Sequence, residues 1–416
     1  MVQDAPRLTI IGGGMITRIQ LLPTAWQLQR EGVVGDIHIC ALNAAPLQAI
    51  RDDAALAAAF PRREFTAHPD PAAVDPDQPF PELYKQVLAD APAGSIALIA
   101  VPDQLHYPVL RAALEANLHV CIVKPLVLQH AQAKEIAQLA RERGLVVGVE
   151  YHKRFDDRNL MARREYRAGR LGEFRLAQAQ MIEPWYYRDS NIQNWCTCEN
   201  SDMFTYVGCH YVDLVAFITG LRPTSVSVYG IVETYPNGRE GYLWTDGRVL
   251  WENGASLSVV DAIGYPSGAA GGNAQGLTMW CKGDDDAALL AHSDQYRGVK
   301  KHYTAAGDAP GETRYAEPNP DYFQLLDVGG EGLTPVGYGH RSAAYILRAC
   351  RRAGEITDVA ERRKLLDAYD AEGIMATPAN SRYNELVIEA GRKSIQAGGR
   401  EVVIDYDSET VRFREY

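Results

Sequence analysis

Long apolar runs and dense clusters of basic residues are both missing from this sequence of 416 residues. No stretch approaches the roughly 20 consecutive apolar residues of a transmembrane helix, and the opening residues, MVQDAPRLTIIGGG, lack the basic and apolar regions of a secretory signal. The formal net charge of -11 argues against a surface for nucleic acid or for an anionic membrane. These absences predict a soluble cytoplasmic protein that binds neither nucleic acid nor membrane and whose ligands are small molecules.

Cysteine is scarce, with seven residues scattered along the chain. An odd, scattered count is unlike the disulfide framework of a small secreted domain. One cluster, Cys196, Cys198, Cys209 and His210, holds four possible zinc ligands, but its Cys-x-Cys spacing differs from the Cys-x2-Cys pairs of structural zinc sites. We therefore predict no metal site.

The stretch from residue 95 to residue 155 alternates continuous apolar runs with amphipathic segments. Strands are predicted at residues 96–101, 119–123 and 145–149, with helices between them, a pattern typical of a parallel sheet covered on both faces. Ligands of such sheets lie beyond the carboxyl ends of the strands. The candidates for one site are the residues that follow these strands: Pro102, Asp103, His106, Lys124, Pro125, Tyr151, His152 and Arg154.

Three glycines follow the first predicted strand, in the segment RLTIIGGGMITR. Gly12 allows a tight turn, and Gly14 lets backbone amides approach a pyrophosphate at the positive end of the next helix. Thr17 stands where the dinucleotide-binding fingerprint usually has a smaller residue. Glycines also suit a plain tight turn, but their place between a strand and a helix predicts a dinucleotide-binding domain.

The second predicted strand, residues 36–42, ends where a dinucleotide places its adenosine ribose. An Asp or Glu there favours NAD, and a nearby Arg favours NADP. Asn43 can bond a ribose hydroxyl, and no adjacent cation is available for an extra phosphate, so the cofactor is NAD or NADP with NAD favoured. The predicted cofactor contacts are Gly12, Gly13, Gly14, Met15, Ile16, Asn43, Val101, Pro102, His106, Lys124 and Pro125.

After residue 150 the pattern changes to longer strands of alternating character. The segment RVLWENGASLSVV predicts a hairpin that turns at Asn253 and Gly254. Together with predicted strands at 174–182, 225–230, 277–281 and 401–406, it favours a large, mostly antiparallel open sheet with helices on one face. We expect an α/β Rossmann domain with a doubly wound parallel sheet over residues 1–150 and an α+β domain over residues 151–416.

The segment 201–220, SDMFTYVGCHYVDLVAFITG, has apolar residues at helical spacing. Tyr206 and His210, four residues apart, share another face of that helix. A lone helical histidine is more often a packing residue than a catalyst, and Tyr206 equally suits a core. The preceding loop is rich in aromatic residues such as Trp185, which could stack on a sugar or cover the sheet or a neighbouring subunit.

Four segments, taken together, resemble the Gfo/Idh/MocA oxidoreductases, which are named for glucose-fructose oxidoreductase and inositol dehydrogenase. They are GGGMIT, AVPDQLHYPVLRAALEANLHVCIVKPLVL, GVEYHKRFDD and YVGCHYVDLVAFITG, and the similarity is continuous over about the first 220 residues. The resemblance implies a nucleotide-binding N-terminal domain, an open C-terminal sheet that often forms subunit contacts, and sugar or polyol substrates. It therefore implies a homo-oligomer, either a dimer or a tetramer.

Two positions depart from the motifs of that family. Its Glu-Lys-Pro motif falls on Val123, Lys124 and Pro125, and its Asp-x-x-x-His motif runs from Tyr206 to His210, so both carboxylates are replaced. By analogy, the bond between Lys124 and Pro125 is expected to be cis. The substrate contacts expected from the position of these motifs and of the aromatic loop are Lys124, Tyr151, His152, Arg154, Trp185, Tyr206 and His210.

The resemblance implies an NAD(P)-dependent enzyme that transfers hydride between a secondary alcohol of a sugar, glycoside or cyclitol and the nicotinamide. In that role His210 would exchange the hydroxyl proton, Lys124 would stabilise charge on the reacting oxygen, and Tyr206 would orient His210 or donate to that oxygen. Two alternatives stay open: an NAD-dependent glycosidase or lyase that oxidises transiently and eliminates, and a non-catalytic protein that senses a nucleotide.

Overall fold

The computed structural model describes residues 5–267, 269, 271–284, 286–293, 303–306, 309–316 and 319–415. The chain divides into two compact units. The first comprises Met1–Phe155 and Leu325–Glu385, and the second comprises Asp156–Gln324 and Leu386–Tyr416. The first break in the chain lies close to the boundary expected at residue 150.

The first unit is built on a six-stranded parallel sheet. Its strands are β1 Leu8–Ile11, β2 Ile37–Cys40, β3 Thr66–His68, β4 Ile96–Ile99, β5 His119–Val123 and β6 Val147–Glu150. Their order, β3-β2-β1-β4-β5-β6, is that of a doubly wound dinucleotide-binding sheet. Strands β1 and β4 are buried at every position, as expected when helices cover both faces. The predicted Rossmann fold is confirmed.

Twelve α-helices are present among the described residues. They are α1 Leu22–Arg30, α2 Ala45–Arg51, α3 Ala54–Ala59, α4 Leu83–Ala89, α5 His106–Glu115, α6 His130–Arg143, α7 Asp157–Arg167, α8 Cys209–Thr219, α9 Tyr338–Gly354, α10 Val359–Glu372, α11 Pro378–Ser381 and α12 Tyr383–Gln396. Within the described part of the chain, none of them combines the length and the apolar character that spanning a bilayer requires.

Helix α9 is the reason that residues 325–385 belong to the first unit, whereas the sequence pattern assigned them to the second domain. Its apolar face, including Ile346 and Cys350, is buried in the same core as Leu8 of the parallel sheet. On β6, a Cβ at Gly148 would overlap the side chain of Ile346, so the helix lies directly on this strand. Because α9 lies far along the chain from β6, no local sequence pattern predicts that this helix packs on that strand.

The second unit is built on an eight-stranded sheet. Continuing along the chain, the remaining strands are β7 Glu173–Pro184, β8 Pro223–Thr234, β9 Glu240–Trp251, β10 Ser256–Tyr265, β11 Ala274–Lys282, β12 Ala287–Ser293, β13 Tyr303–Ala306, β14 Thr313–Ala316, β15 Gln324–Leu326, β16 Thr334–Val336, β17 Val402–Asp405 and β18 Thr410–Phe413. Of these, β16 and all but the first residue of β15 belong to the first unit. The order in the large sheet is β12-β11-β7-β10-β9-β8-β17-β18, with β7 and β10 parallel and the other neighbours antiparallel. The predicted, mostly antiparallel open sheet is confirmed.

The predicted hairpin joins β9 to β10. Gly254 adopts a positive φ of 78°, which a side chain at that turn would oppose. The segment predicted as one helix over residues 201–220 consists of a π-helical turn, Phe204–Gly208, followed by α8. Every residue of α8 from Cys209 to Ile218 is buried, so this helix forms a central part of the core of its unit.

Candidate functional site

The glycine loop lies against the end of β4. Gly12 has a φ of 113°, and a Cβ there would overlap the carbonyl oxygen of Ala100 and lie 3.4 Å from the amide of Val101. No heavy atom lies within 4 Å of the place where a Cβ of Gly14 would stand. The loop is therefore closed on the side of the sheet and open at Gly14, as binding of a pyrophosphate requires.

Thr17 fixes this loop, a role that the sequence did not indicate. Its side chain is fully buried in the π-helical turn Thr17–Leu21, and its hydroxyl donates to the carbonyl oxygen of Gly12 over 2.7 Å. The third fingerprint position thus combines a small size with a hydrogen bond that holds the turn. Thr17, a departure from the fingerprint, still suits the loop.

The remaining predicted cofactor residues of this region surround the loop. A Cβ on Gly13 would touch the side chains of Ala41 and Leu47 at 3.3 Å, which places the loop beside the turn that follows β2. Asn43 lies in that turn and is half-buried. Met15 is exposed and Ile16 is half-buried. The end of β2 and the glycine loop are thus brought together as predicted.

His106, predicted to contact the cofactor, lies inside the first unit. Its side chain has no exposed surface, and Nδ1 and Nε2 lie 2.6 Å and 2.9 Å from the carbonyl oxygens of Pro125 and Val101. Burial lowers the pKa of the imidazole, against the opposing effect of Asp103 and of the two carbonyls. His106 therefore joins the segments that follow β4 and β5, and it positions their residues.

Lys124 follows β5 directly and is half-buried, and the Lys124–Pro125 peptide bond is cis, as expected. Pro102, half-buried, follows Val101 at the end of β4. Because His106 bonds both segments, the structure brings Gly12, Val101, Pro125 and Lys124 to the same carboxyl edge of the parallel sheet.

The turn after β6 carries three predicted substrate contacts. Tyr151 and Arg154 are buried, with the guanidinium carbon of Arg154 5.8 Å from the ring centroid of Tyr151, and Arg154 donates to the hydroxyl of Tyr383 over 3.4 Å. His152 keeps 9% of its surface exposed and stacks on Tyr338, with ring centroids 5.5 Å apart. Tyr151 and Arg154 thus support the turn, and His152 is the most exposed of the three.

In the second unit, Tyr206 lies in the π-helical turn and His210 lies in the first turn of α8. Tyr206 is half-buried and meets the ring of Trp195 edge to face at 5.1 Å, whereas His210 is 2% exposed. Short π-helical segments inside helices are frequent at functional sites. The local backbone thus marks the segment that the resemblance assigned to catalysis.

Trp185 offers an aromatic surface in the same unit. Its side chain is 42% exposed, the guanidinium carbon of Arg188 lies 4.1 Å from its ring centroid, and Trp244 lies 6.5 Å away. These neighbours hold the indole in place while part of it stays accessible, which suits stacking on a sugar ring.

Asp261 of β10 is a buried carboxyl group that the sequence did not indicate. Both carboxyl oxygens of Asp261 are buried, and a Cβ on Gly208 would lie 2.5 Å from Oδ2. Burial raises the pKa of Asp261 well above its usual range, and the nearby Asp202 and Glu183 raise it further. The group is therefore a neutral acid at the base of the turn that carries Tyr206.

Comparisons with known proteins identify the first unit. Residues 7–151 match the model of an oxidoreductase family with an NAD-binding Rossmann fold. An inositol 2-dehydrogenase of Corynebacterium glutamicum is 30% identical over 203 residues, which are 47% of this chain and 54% of that protein. A UDP-N-acetylglucosamine 3-dehydrogenase of Acidithiobacillus ferrooxidans is 28% identical over 202 residues, which are 49% of this chain and 58% of that protein. The chain thus spans about half the length of the curated relatives that it matches.

The fold as a whole is similar to that of solved structures. An inositol dehydrogenase homologue from Azotobacter vinelandii, solved with NADH and myo-inositol, aligns with a TM-score of 0.63 over 96% of this chain and 98% of that chain, at 19% identity. At this identity the similarity concerns the fold. The family match, the strand order and the glycine loop agree that residues 7–151 form the NAD-binding Rossmann domain of a Gfo/Idh/MocA oxidoreductase.

Proposed function

We propose that this chain is an NAD(P)-dependent oxidoreductase that transfers hydride between a secondary alcohol of a sugar, glycoside or cyclitol and the nicotinamide. The observation that carries the proposal is the glycine loop, closed against β4 and open at Gly14, in a sheet with the dinucleotide-binding order. Two relatives are dehydrogenases of an inositol and of a nucleotide sugar, which supports the substrate class.

The residues of the first unit fit a dinucleotide. Backbone amides of the glycine loop would bind the pyrophosphate, and Asn43 would bond a ribose hydroxyl without attracting an extra phosphate, so we propose NAD as the preferred cofactor. The nicotinamide, when bound, supplies the hydride acceptor. The protein must supply proton transfer and charge stabilisation at the substrate oxygen.

Three residues take these roles in the proposal. The Lys124 ammonium donates a hydrogen bond to the reacting oxygen and stabilises the negative charge that develops on it. The His210 imidazole takes the hydroxyl proton and returns it in the reverse direction. Tyr206, held edge-on by Trp195, orients His210. His152 and Trp185 would contact other parts of the substrate.

The test is steady-state turnover with NAD and NADP in turn, over a panel of free sugars, cyclitols and glycosides. Formation of reduced nicotinamide is followed by its absorbance, and released aglycone is assayed in parallel. We expect Lys124→Ala and His210→Ala each to lower kcat about 10²- to 10⁴-fold, since each removes a group that acts on the reacting oxygen. Lys85→Ala, an exposed lysine paired with Glu82, is the control and should turn over as the parent does.

Three other results of this assay would contradict the assigned roles or favour another function. Variants at Lys124 and His210 that keep parental kcat would remove the assigned roles. Aglycone release without accumulation of reduced nicotinamide would replace the dehydrogenase by an enzyme that oxidises transiently and eliminates. Cofactor binding without either product over the whole panel would favour the nucleotide-sensing alternative.

We also propose that the chain forms a homo-oligomer through the outward face of the eight-stranded sheet. Leu176, Trp280 and Leu289 are cross-strand neighbours on β7, β11 and β12 and are all exposed. The outward positions in the middle of β7, β10 and β11 carry no charged side chain. They are Leu176, Gln178, Gln180, Ser256, Ser258, Val260, Gly276, Thr278 and Trp280. Depletion of charge around exposed apolar side chains is typical of subunit interfaces.

A further inference from the structure

Glu150, the last residue of β6, is a buried carboxylate that the proposed reaction does not yet use. Glu150 is only 3% exposed, and a glutamate is almost never so deeply buried without polar or charged partners. Oε1 accepts a hydrogen bond from the Gln20 amide over 3.2 Å and another from the Ser342 hydroxyl. Oε2 lies 3.5 Å from Nδ1 of His152. Among the described residues, no lysine or arginine forms an ion pair with it, so polar groups and one imidazole surround this carboxyl group.

Two of these partners are themselves fixed. The Gln20 amide, in the π-helical turn after the glycine loop, also donates to the carbonyl oxygen of Gly339 over 3.3 Å. The Ser342 hydroxyl reaches the same carbonyl over 3.3 Å. The carboxylate therefore joins the glycine-loop turn, β6 and the start of α9. With Oε1 held in this way, the orientation of Oε2 toward His152 is set.

The register of the sheet places this carboxylate beside the Lys124 segment. Glu150 on β6 is the direct neighbour of Val123 on the parallel strand β5. Val123 immediately precedes Lys124 in the chain. Neighbours across parallel strands point to the same face, which here is the face covered by α9. Val123 stands where the related motif has a glutamate, and Glu150 supplies a carboxylate at the same level on the next strand.

A carboxylate near Nδ1 of a histidine favours the proton on that nitrogen and makes Nε2 the acceptor. The ring of His152 also stacks on the ring of Tyr338, with an angle of 28° between the two ring planes. We propose that Glu150 is a positioning residue that fixes the tautomer and orientation of His152, so that Nε2 of His152 accepts a hydrogen bond from a substrate hydroxyl. This inference deepens the proposed dehydrogenase function and rests on it.

The test compares Glu150→Gln with Ser342→Ala. Glutamine keeps the size of the side chain but removes the charge near Nδ1, whereas Ser342→Ala removes a hydrogen bond to the same carboxylate and leaves its charge. We expect Glu150→Gln to lower kcat about 10- to 100-fold with an unchanged KM for the cofactor. Ser342→Ala, which frees Oε1 but keeps the carboxyl group beside Nδ1, should lower kcat less than Glu150→Gln does. Glu135→Gln, at an exposed glutamate of α6, is the control for removal of a charge.

Two further measurements separate positioning from general support of the fold. In a His152→Ala background, Glu150→Gln should have little additional effect on kcat, because its effect passes through the imidazole. Nitrogen-15 NMR of the histidine side chains should show the Nδ1–H tautomer of His152 in the parent and in Ser342→Ala, and its loss in Glu150→Gln. Additive effects in the double variant, or an unchanged tautomer in Glu150→Gln, would overturn the inference.

The NMR measurement does not require turnover. If no substrate of the panel reacts, the proposed function fails, and the tautomer still decides whether Glu150 positions His152. If the parent reacts and Glu150→Gln reacts equally fast with the same KM values, the inference fails while the proposed function stands.

Discussion

At the scale of single residues, Asp261 offers a sharp test of how burial sets protonation. Its carboxyl group is fully buried beside Asp202 and Glu183, and its pKa is raised above that of an unfolded chain. The folded state therefore binds a proton that the unfolded state releases once the pH exceeds about 4. The stability associated with this group is complete below that pH and is lost as the pH rises toward the pKa of the folded state.

We predict that Asp261→Asn stabilises the protein increasingly as the pH rises, by about 1 kcal/mol per pH unit, because asparagine needs no proton to stay neutral. Denaturant unfolding of parent and variant from about pH 5 to pH 8 measures the difference in the free energy of unfolding. Asp246→Asn, at an exposed position of the neighbouring strand β9, should give a constant difference. Parallel stability curves for the parent and Asp261→Asn would contradict the neutral-acid assignment.

The positions of residues that directly follow a predicted strand could be predicted from the sequence. Gly12 and Lys124 follow strands of a recognisable pattern, and the structure places both at the carboxyl edge. The burial of His106 could not be predicted, because the sequence does not show which residue at a strand end turns inward. Glu150 and Asp261 depend on partners more than 50 residues away, Ser342 and Asp202 among them, and no local motif encodes such contacts.

At the scale of elements, the outward face of the eight-stranded sheet can be tested as a subunit interface. We predict that Leu176→Lys combined with Leu289→Lys lowers the mass in solution from the proposed dimer or tetramer to that of a smaller species, because two charges would be buried in an apolar contact. Sedimentation velocity over a range of concentrations measures this mass. Met161→Lys, at an exposed methionine of helix α7, is the control and should leave the mass unchanged.

A monomeric parent, or an oligomer whose mass is the same in the double variant, would remove the sheet face as the interface. The circular dichroism of the double variant should match that of the parent, because both leucines are about half exposed and pack little within the chain.

Elements were predicted well where the pattern is local. The strand predicted at residues 119–123 coincides with β5, and the Asn-Gly hairpin joins β9 and β10 as expected. The helix predicted over residues 201–220 begins instead with the turn Phe204–Gly208 in π geometry. That geometry arises where Gly208 packs against Asp261, a long-range contact that helical periodicity does not contain.

At the scale of the whole molecule, assignment of residues to units was the least predictable feature. The sequence suggested one boundary, but the chain returns to the first unit over Leu325–Glu385. Helix α9 is strongly amphipathic, and its buried face could equally have covered either sheet. Long-range contacts such as the packing of Ile346 on Gly148 place it on the parallel sheet.

The two units should respond to pH in opposite ways. Five histidines of the first unit have a pKa below the usual value, chiefly because burial disfavours the charged imidazole: His38, His68, His106, His119 and His340. Burial lowers the pKa of His119 to about 3 and that of His340 to about 4. The lowered pKa keeps His119 and His340 neutral in the folded state at about pH 5, whereas in the unfolded chain they take up protons below about pH 6.5. Since the unfolded state then binds more protons, stability falls as the pH falls.

We predict that acidification from about pH 7 to pH 5 destabilises the first unit, and that His119→Asn removes about 1 kcal/mol per pH unit of this loss. Asparagine can accept the hydrogen bond that the Val146 amide donates to Nδ1 of His119 over 3.1 Å, but it cannot be protonated. Hydrogen exchange of β5 and β6 amides, compared with that of β9 and β10, measures the opening free energy of each unit separately. We expect protection to fall with acid in β5 and β6 of the parent and to fall less in His119→Asn. Equal slopes for parent and variant would show that His119 is not held neutral, and acid-induced exchange confined to β9 and β10 would reverse the assignment of the pH response to the units.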